Sequence, residues 1–222
     1  MEKYRIGVLR ILTTDDENVF IHHENLLRKL FPQFELTTRS IPDQPEGVCD
    51  DASYEKAVPK IIALAKEWEK DLDGLIVNCA GDPAVDILQK ELHSPVVGAG
   101  RCTALAALLY PGKVGVLGLT GDIPPAYKEV LGDRLAGYEK PQRSVTANDL
   151  RTEEGIRDTR EAVQRLIDED AETIVFACTG YTMSDTKQTL KGLDIRILDC
   201  AQIMGAAMLS ECITRYEYGN GR

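Results

Sequence analysis

Short apolar runs alternate along most of the chain with longer segments whose apolar residues recur every three to four positions, the period of a helix packed on one side. "RIGVLRIL" reads as a buried strand. The stretch from Asp15 to Leu30 reads as a helix with Val19, Leu26, Leu27 and Leu30 on one side, stopped by Pro32. "FELTTRSI" is the next strand. A long helical segment follows, with Ile61, Ile62, Leu64, Ala65 and Trp68 as its apolar face; Pro59 near its beginning implies a late start or a kink. Strand "GLIVNC", a helix from about Pro83 to Leu92, strand "PVVGAG" and a helix over "CTALAALLY" complete this part.

The same order then restarts. "KVGVLGL" resembles the opening strand, "YKEVLGDRL" supplies a helix, and the mixed tract from Tyr138 to Arg151 suggests a strand around "RSVTA". A helix from Glu153 to Asp170 turns Ile156, Val163, Leu166 and Ile167 inward. Strand "TIVFAC", a helix over Ser184–Leu190, strand "IRILDC" and helix "AQIMGAAML" follow. Around the cysteines the halves align without a gap at an offset of 99 residues, Cys79 against Cys178 and Gly81 against Gly180. Alternating strand–helix units of this kind build parallel sheets covered by helices. The expected fold is therefore α/β, with two pseudo-symmetric lobes, each a mostly parallel sheet flanked by helices. The first lobe spans 1–99, completed by the C-terminal helix 200–222, and the second spans 100–199. Ligands of such sheets sit beyond the carboxyl ends of the strands, so both cysteines fall on the walls of one cleft between the lobes.

Charge and composition remove several classes of partner. A chain of 222 residues with a net charge of -10 has no basic face for nucleic acid or an anionic membrane. No apolar run reaches spanning length, and "MEKYRIGVLR" enters a strand directly instead of forming a signal peptide. Six cysteines without an export signal read as reduced thiols of a cytoplasmic protein.

Cys79 in "LIVNCAGDP" and Cys178 in "IVFACTGYT" each end a strand where a helix is expected to begin. Backbone N–H groups and the helix dipole there favour negative charge and are expected to lower a thiol pKa. The small residues Ala80, Gly81 and Gly180 let a carboxylate or imide oxygen approach the backbone. One activated cysteine suggests a nucleophile. Two across a cleft suggest that one removes a proton and the other returns it on the opposite face, inverting a stereocentre acidified by a carbonyl.

"NCAGDPAV" and "ACTGYT" carry a specific resemblance: the chain is similar, over nearly all its length, to the aspartate/glutamate/hydantoin racemase family, nearest its hydantoin racemase branch. The resemblance implies a cofactor-independent isomerase in which Cys79 and Cys178 are paired acid and base, with no metal and a small-molecule substrate, a hydantoin or amino-acid derivative. Glutamate racemases carry Asp-Ser after the first strand and histidine after the second Cys-Thr; here Thr13, Thr14 and Gly180 occupy those places. The Asn-Pro-Asn element of many hydantoin racemases is also missing. A racemase of free amino acids is the alternative within the fold. A decarboxylase on the same fold needs only one cysteine, and a non-catalytic two-lobed binding protein has no use for a thiol on each wall. Such folds are commonly dimeric, which leaves a homo-oligomer open.

Beside the cysteines, Asn78, Thr179, Thr13 and Thr120 are substrate-binding candidates, each weighed against a purely local hydrogen-bonding role. Asp82 with Pro83 reads as the cap and first residue of the following helix. Cys49, Cys102, Cys200 and Cys212 read as packing, His22 and His23 as solvated, and His93 as a helix C-terminal residue. No Cys-x-x-Cys, phosphate loop or dinucleotide fingerprint is present.

Overall fold

A computed structural model describes residues 3–183 and 186–219. Among them, strands β1 (Tyr4–Arg10), β2 (Phe34–Ser40), β3 (Gly74–Asn78) and β4 (Val96–Gly98) form one sheet, in the order β2-β1-β3-β4. Strands β5 (Lys113–Leu117), β6 (Leu135–Glu139), β7 (Ala171–Phe176) and β8 (Arg196–Leu198) form a second, in the order β6-β5-β7-β8. All pairs are parallel, so the two sheets repeat one topology. The connecting helices are α1 (Glu17–Leu30), α2 (Asp51–Trp68), α3 (Val85–Glu91), α4 (Ala99–Ala107), α5 (Pro125–Leu131), α6 (Glu153–Asp168), α7 (Thr186–Thr189) and α8 (Cys200–Tyr218).

Strands buried on both faces read as continuous apolar runs because successive side chains enter different cores. In β1, Ile6 and Val8 join the packing of α1 and α8, whereas Leu9 faces α2 and α3 on the other side. In β5, Leu117 points to α6, while Val114 and Val116 point to α4 and α5. One apolar cluster is continuous between the lobes, running from Ile6, Val8 and Ile76 through Met204 and Met208 of α8 to Ile174 and Phe176. α8 packs on β3, β4, α1 and α4, although it follows the last strand of the second sheet.

Local signals explain most helix boundaries. The Asp16 carboxylate caps α1 by accepting from Asn18 N at 3.0 Å, and Asp50 with Ser53 forms a reciprocal cap on α2. α2 runs unbroken through Pro59. An interior proline costs about 3 kcal/mol, and full burial of Ile61 returns roughly 1.5–3 kcal/mol before Trp68 is counted. The strand expected at "RSVTA" is not formed. β6 lies earlier, at Leu135–Glu139, and residues 143–147 are a loop whose shape Asp149 holds, its Oδ2 accepting from Val145 N (2.9 Å) and Thr146 N (2.8 Å). Part of the helix expected over Ser184–Leu190 falls outside the described residues; its described portion is α7. Among the described residues no helix is long and apolar enough to cross a membrane.

Candidate active site

The two turns that carry the cysteines are built alike. Cys79 directly follows β3, and Asp82 N donates to its carbonyl oxygen at 3.1 Å. Cys178 lies two residues beyond β7 and opens a 3₁₀ turn over Thr179–Met183, where Tyr181 N donates to its carbonyl oxygen at 3.3 Å. In each turn the glycine two residues on directs its N–H at the sulfur, Gly81 toward Cys79 and Gly180 toward Cys178 at 3.4 Å. The expected helix field is displaced, because α3 begins only at Val85. Both thiols are half-buried, open to a cavity but otherwise enclosed by protein. Burial pushes Cys79 up to about 12 and Cys178 up to about 11, the glycine N–H in each case pulling the other way. The lowered thiol pKa expected from the sequence is thus overturned: desolvation outweighs one N–H. A negative charge on Cys178 raises Cys79 further.

A cavity of about 120 Å³ is lined from both lobes by Cys79 and Cys178, together with Asn78, Ala80, Gly81, Thr120, Thr179 and Gly180. Thr13 is not on its wall. Its hydroxyl donates to Ile41 O (2.7 Å) and accepts from Gln44 N (2.9 Å), pinning the loop whose continuation, Glu46–Cys49, closes one side of the cavity. The loop Val145–Ala147 closes the other side. A methyl group on Gly180 would meet the Ala147 Cβ at 2.7 Å, so the space left by this glycine is filled by that loop.

Arg10 and His23 also line the cavity; the sequence reading gave Arg10 no role and His23 a solvated one. His23, read as solvated, is 2% exposed. Its Nδ1 lies 3.1 Å from Arg10 Nη1, which can only donate, so Nδ1 accepts and the ring proton sits on Nε2. Nε2 lies 3.0 Å from the Thr179 carbonyl oxygen and 2.9 Å from Thr182 Oγ1. Burial, with the Arg10 charge adding to it, pushes His23 down to about 3, so the ring is neutral. Two signals were available. Arg10 is a cation inside an apolar strand, and His23 sits at four-residue spacing between the core residues Val19 and Leu27.

Asp82 does not cap α3. It occupies a left-handed backbone (φ 50°), as does Ala84 (φ 64°), at a cost of about 1 kcal/mol each or more. Its carboxylate reaches across to α4, accepting from Gly100 N at 2.7 Å and Arg101 N at 2.6 Å. Burial still pushes its carboxyl up to about 6. The close approach needs small residues: a methyl on Gly100 would stand 2.3 Å from the Ala80 carbonyl oxygen, and one on Gly98 would stand 2.2 Å from Asp82 Oδ1. The turn after Cys79 is thereby fastened to "GAG", where β4 passes into α4.

Cys200 and Cys212 are buried in the core as expected, and the Cys102 thiol donates to Gly98 O at 2.9 Å. Cys49, read as packing, lines the cavity. A larger groove of about 470 Å³ lies over α3, α4 and α8, and neither Cys79 nor Cys178 lines it. Among the described residues no group of three or more His, Cys, Asp or Glu side chains converges to hold a metal ion.

Two parallel α/β lobes, each giving a cysteine to one cavity, place the chain among two-lobed α/β proteins whose site lies where the lobes meet. The family model for Asp/Glu/Hydantoin racemase matches residues 6–208, and the chain belongs to that family and with it to the isomerases. No curated protein matches the sequence. Among solved structures, allantoin racemase from Klebsiella pneumoniae superposes with a TM-score of 0.82 at 16% identity, covering 99% of this chain and 90% of that one. Allantoin racemase from Pseudomonas fluorescens gives 0.81 at 18% identity, covering 98% and 92%. A glutamate racemase from Bacillus anthracis gives 0.74 at 20% identity, covering 98% and 84%.

Proposed function

We propose that this chain inverts a carbonyl-activated stereocentre by proton transfer between Cys79 and Cys178, as a hydantoin racemase does. The observation that supports this most directly is that the two thiols, at equivalent ends of two equivalent sheets, line one cavity. One sulfur acts as thiolate and takes the hydrogen from the α-carbon, forming S–H while the electron pair moves into the adjacent carbonyl as an enolate. The other gives up its S–H proton to the opposite face, forming the new C–H bond and restoring the carbonyl. The product leaves with the two thiols in exchanged protonation states. Burial holds both thiols mostly protonated, so the reacting thiolate is a minor form, and repulsion between like charges disfavours a second one beside it. No electrons are exchanged with a carrier, so the reading calls for no cofactor.

A cavity of about 120 Å³ is well below the roughly 300–1,000 Å³ of sites for drug-sized ligands, so the substrate is small. Gly180, which lines the cavity where glutamate racemases carry histidine, favours a hydantoin over a free acidic amino acid. The test is a panel of 5-substituted hydantoins and free amino acids incubated in heavy water, with loss of optical rotation and deuterium uptake followed together. Coupled loss and uptake on hydantoins is expected. Activity confined to free amino acids would move the chain to the other branch, and inertness toward all of them would leave a binding protein.

A further inference from the structure

The cavity holds a buried cation without a counter-ion. Arg10 is 3% exposed and makes no salt bridge among the described residues. Among the described residues its hydrogen bonds use Nη1 alone, toward His23 Nδ1 at 3.1 Å and the Phe20 carbonyl oxygen at 3.3 Å. Both acceptors are uncharged, since His23 is neutral. Nε is buried with no partner. The neighbouring residue across the β1–β3 ladder is Asn78, whose Oδ1 is likewise buried and unpartnered. Among the described residues Glu46 is the one acidic side chain on the cavity wall, and it is exposed and not paired with Arg10.

A guanidinium taken out of water with neither a carboxylate nor a full set of acceptors is a costly arrangement, and stable folds normally pair such a charge. The cost is accounted for if the partner arrives with the ligand. We propose that Arg10 is the anion-binding residue of this cavity and that the substrate carries a carboxylate set against it. This rests on the cavity being the substrate site, as in the function proposed above, but not on the two-thiol chemistry. It narrows the substrate to a carboxylate-bearing carbon acid, such as a hydantoin with an acidic side chain at its stereocentre. The planar guanidinium is suited to the task because it accepts a carboxylate through two parallel N–H bonds, which a lysine cannot reproduce.

Matched pairs of ligands test it: hydantoin-5-acetate against hydantoin-5-acetamide, and aspartate against asparagine. Each is scored by deuterium uptake and, independently of turnover, by protection of Cys79 and Cys178 from iodoacetamide, read by mass spectrometry. The carboxylate member of at least one pair is expected to protect about 10- to 100-fold more tightly, the range of a charge-assisted hydrogen bond. Arg10→Met should abolish that preference and Arg10→Lys should keep part of it. Equal protection by carboxylate and amide in the wild-type protein, which needs no variant, overturns the assignment. So does a preference that survives in a folded Arg10→Met protein. Carboxylate-selective protection without any deuterium uptake upholds Arg10 and sinks the racemase reading. Uptake without carboxylate selectivity does the reverse.

Discussion

His23, on the first helix, donates from Nε2 to the carbonyl oxygen of Thr179, the residue that follows Cys178 in the other lobe, at 3.0 Å. The same ring accepts from Arg10, so one neutral imidazole ties the first strand of one lobe to the cysteine turn of the other. Its protonation has a predictable effect on stability. The folded-state value of about 3 lies below the unfolded value of 6.5, so the unfolded chain binds more protons in that window. Stability from this group is full above about pH 6.5 and is lost as pH falls toward 3, by up to about 1.4 kcal/mol per pH unit. Asp82, raised from 3.8 to about 6, slopes the other way between those values. His23→Gln can keep both hydrogen bonds but cannot titrate. Urea unfolding at pH 7.5, 5.5 and 4.5 should show the wild type losing ground to His23→Gln at each acid step; parallel curves would rule the arrangement out.

Alkylation should report thiols held protonated. With Cys79 pushed up to about 12 and Cys178 to about 11, the thiolate fraction, and with it the iodoacetamide rate, should climb about tenfold per pH unit from pH 7 to 10. Residue-resolved mass spectrometry measures it. A plateau at either cysteine by pH 8 would mean that the glycine N–H outweighs burial after all.

The two cysteines should separate by enantiomer. Cys79→Ala and Cys178→Ala should each abolish racemisation, since a full turnover needs both proton transfers, with rate losses of at least about a thousandfold. Each variant keeps one base, so any residual exchange of the α-hydrogen in heavy water should favour opposite enantiomers. Identical preferences, or near-normal racemisation by either variant, would contradict the pairing.

Glycine substitutions should divide by what a methyl group would meet. Gly100→Ala drives a Cβ to 2.3 Å from the Ala80 carbonyl oxygen, beside Cys79, and should cost about 1–3 kcal/mol together with activity. Gly121→Ala meets nothing within 4 Å and should stay within about 0.5 kcal/mol of wild type. Thermal or urea unfolding of the two proteins decides it. Comparable losses would show that the Asp82 fastening is not what holds the turn.

The order of strands and helices was open to reading because its signals are local. The apolar run in "RIGVLRIL" and the spacing of Val163 and Leu166 each depend on a few consecutive residues. So does the repeat that puts Cys79 and Cys178 at matching strand ends, which the topology of both sheets reproduces. The misplaced strand at "RSVTA" shows the limit of such signals, since Asp149 folds that β-branched stretch into a loop through its own hydrogen bonds. Tertiary structure alone decided the charge state of the site. Desolvation of a thiol depends on everything packed around it, and here it reverses the direction expected from the turn. The same holds for Asp82, which caps a helix 18 residues on instead of its own, and for His23, whose partner lies 156 residues away. A sequence pattern records which face of an element is apolar; which polar groups that burial leaves facing one another across two lobes is settled only when the lobes meet.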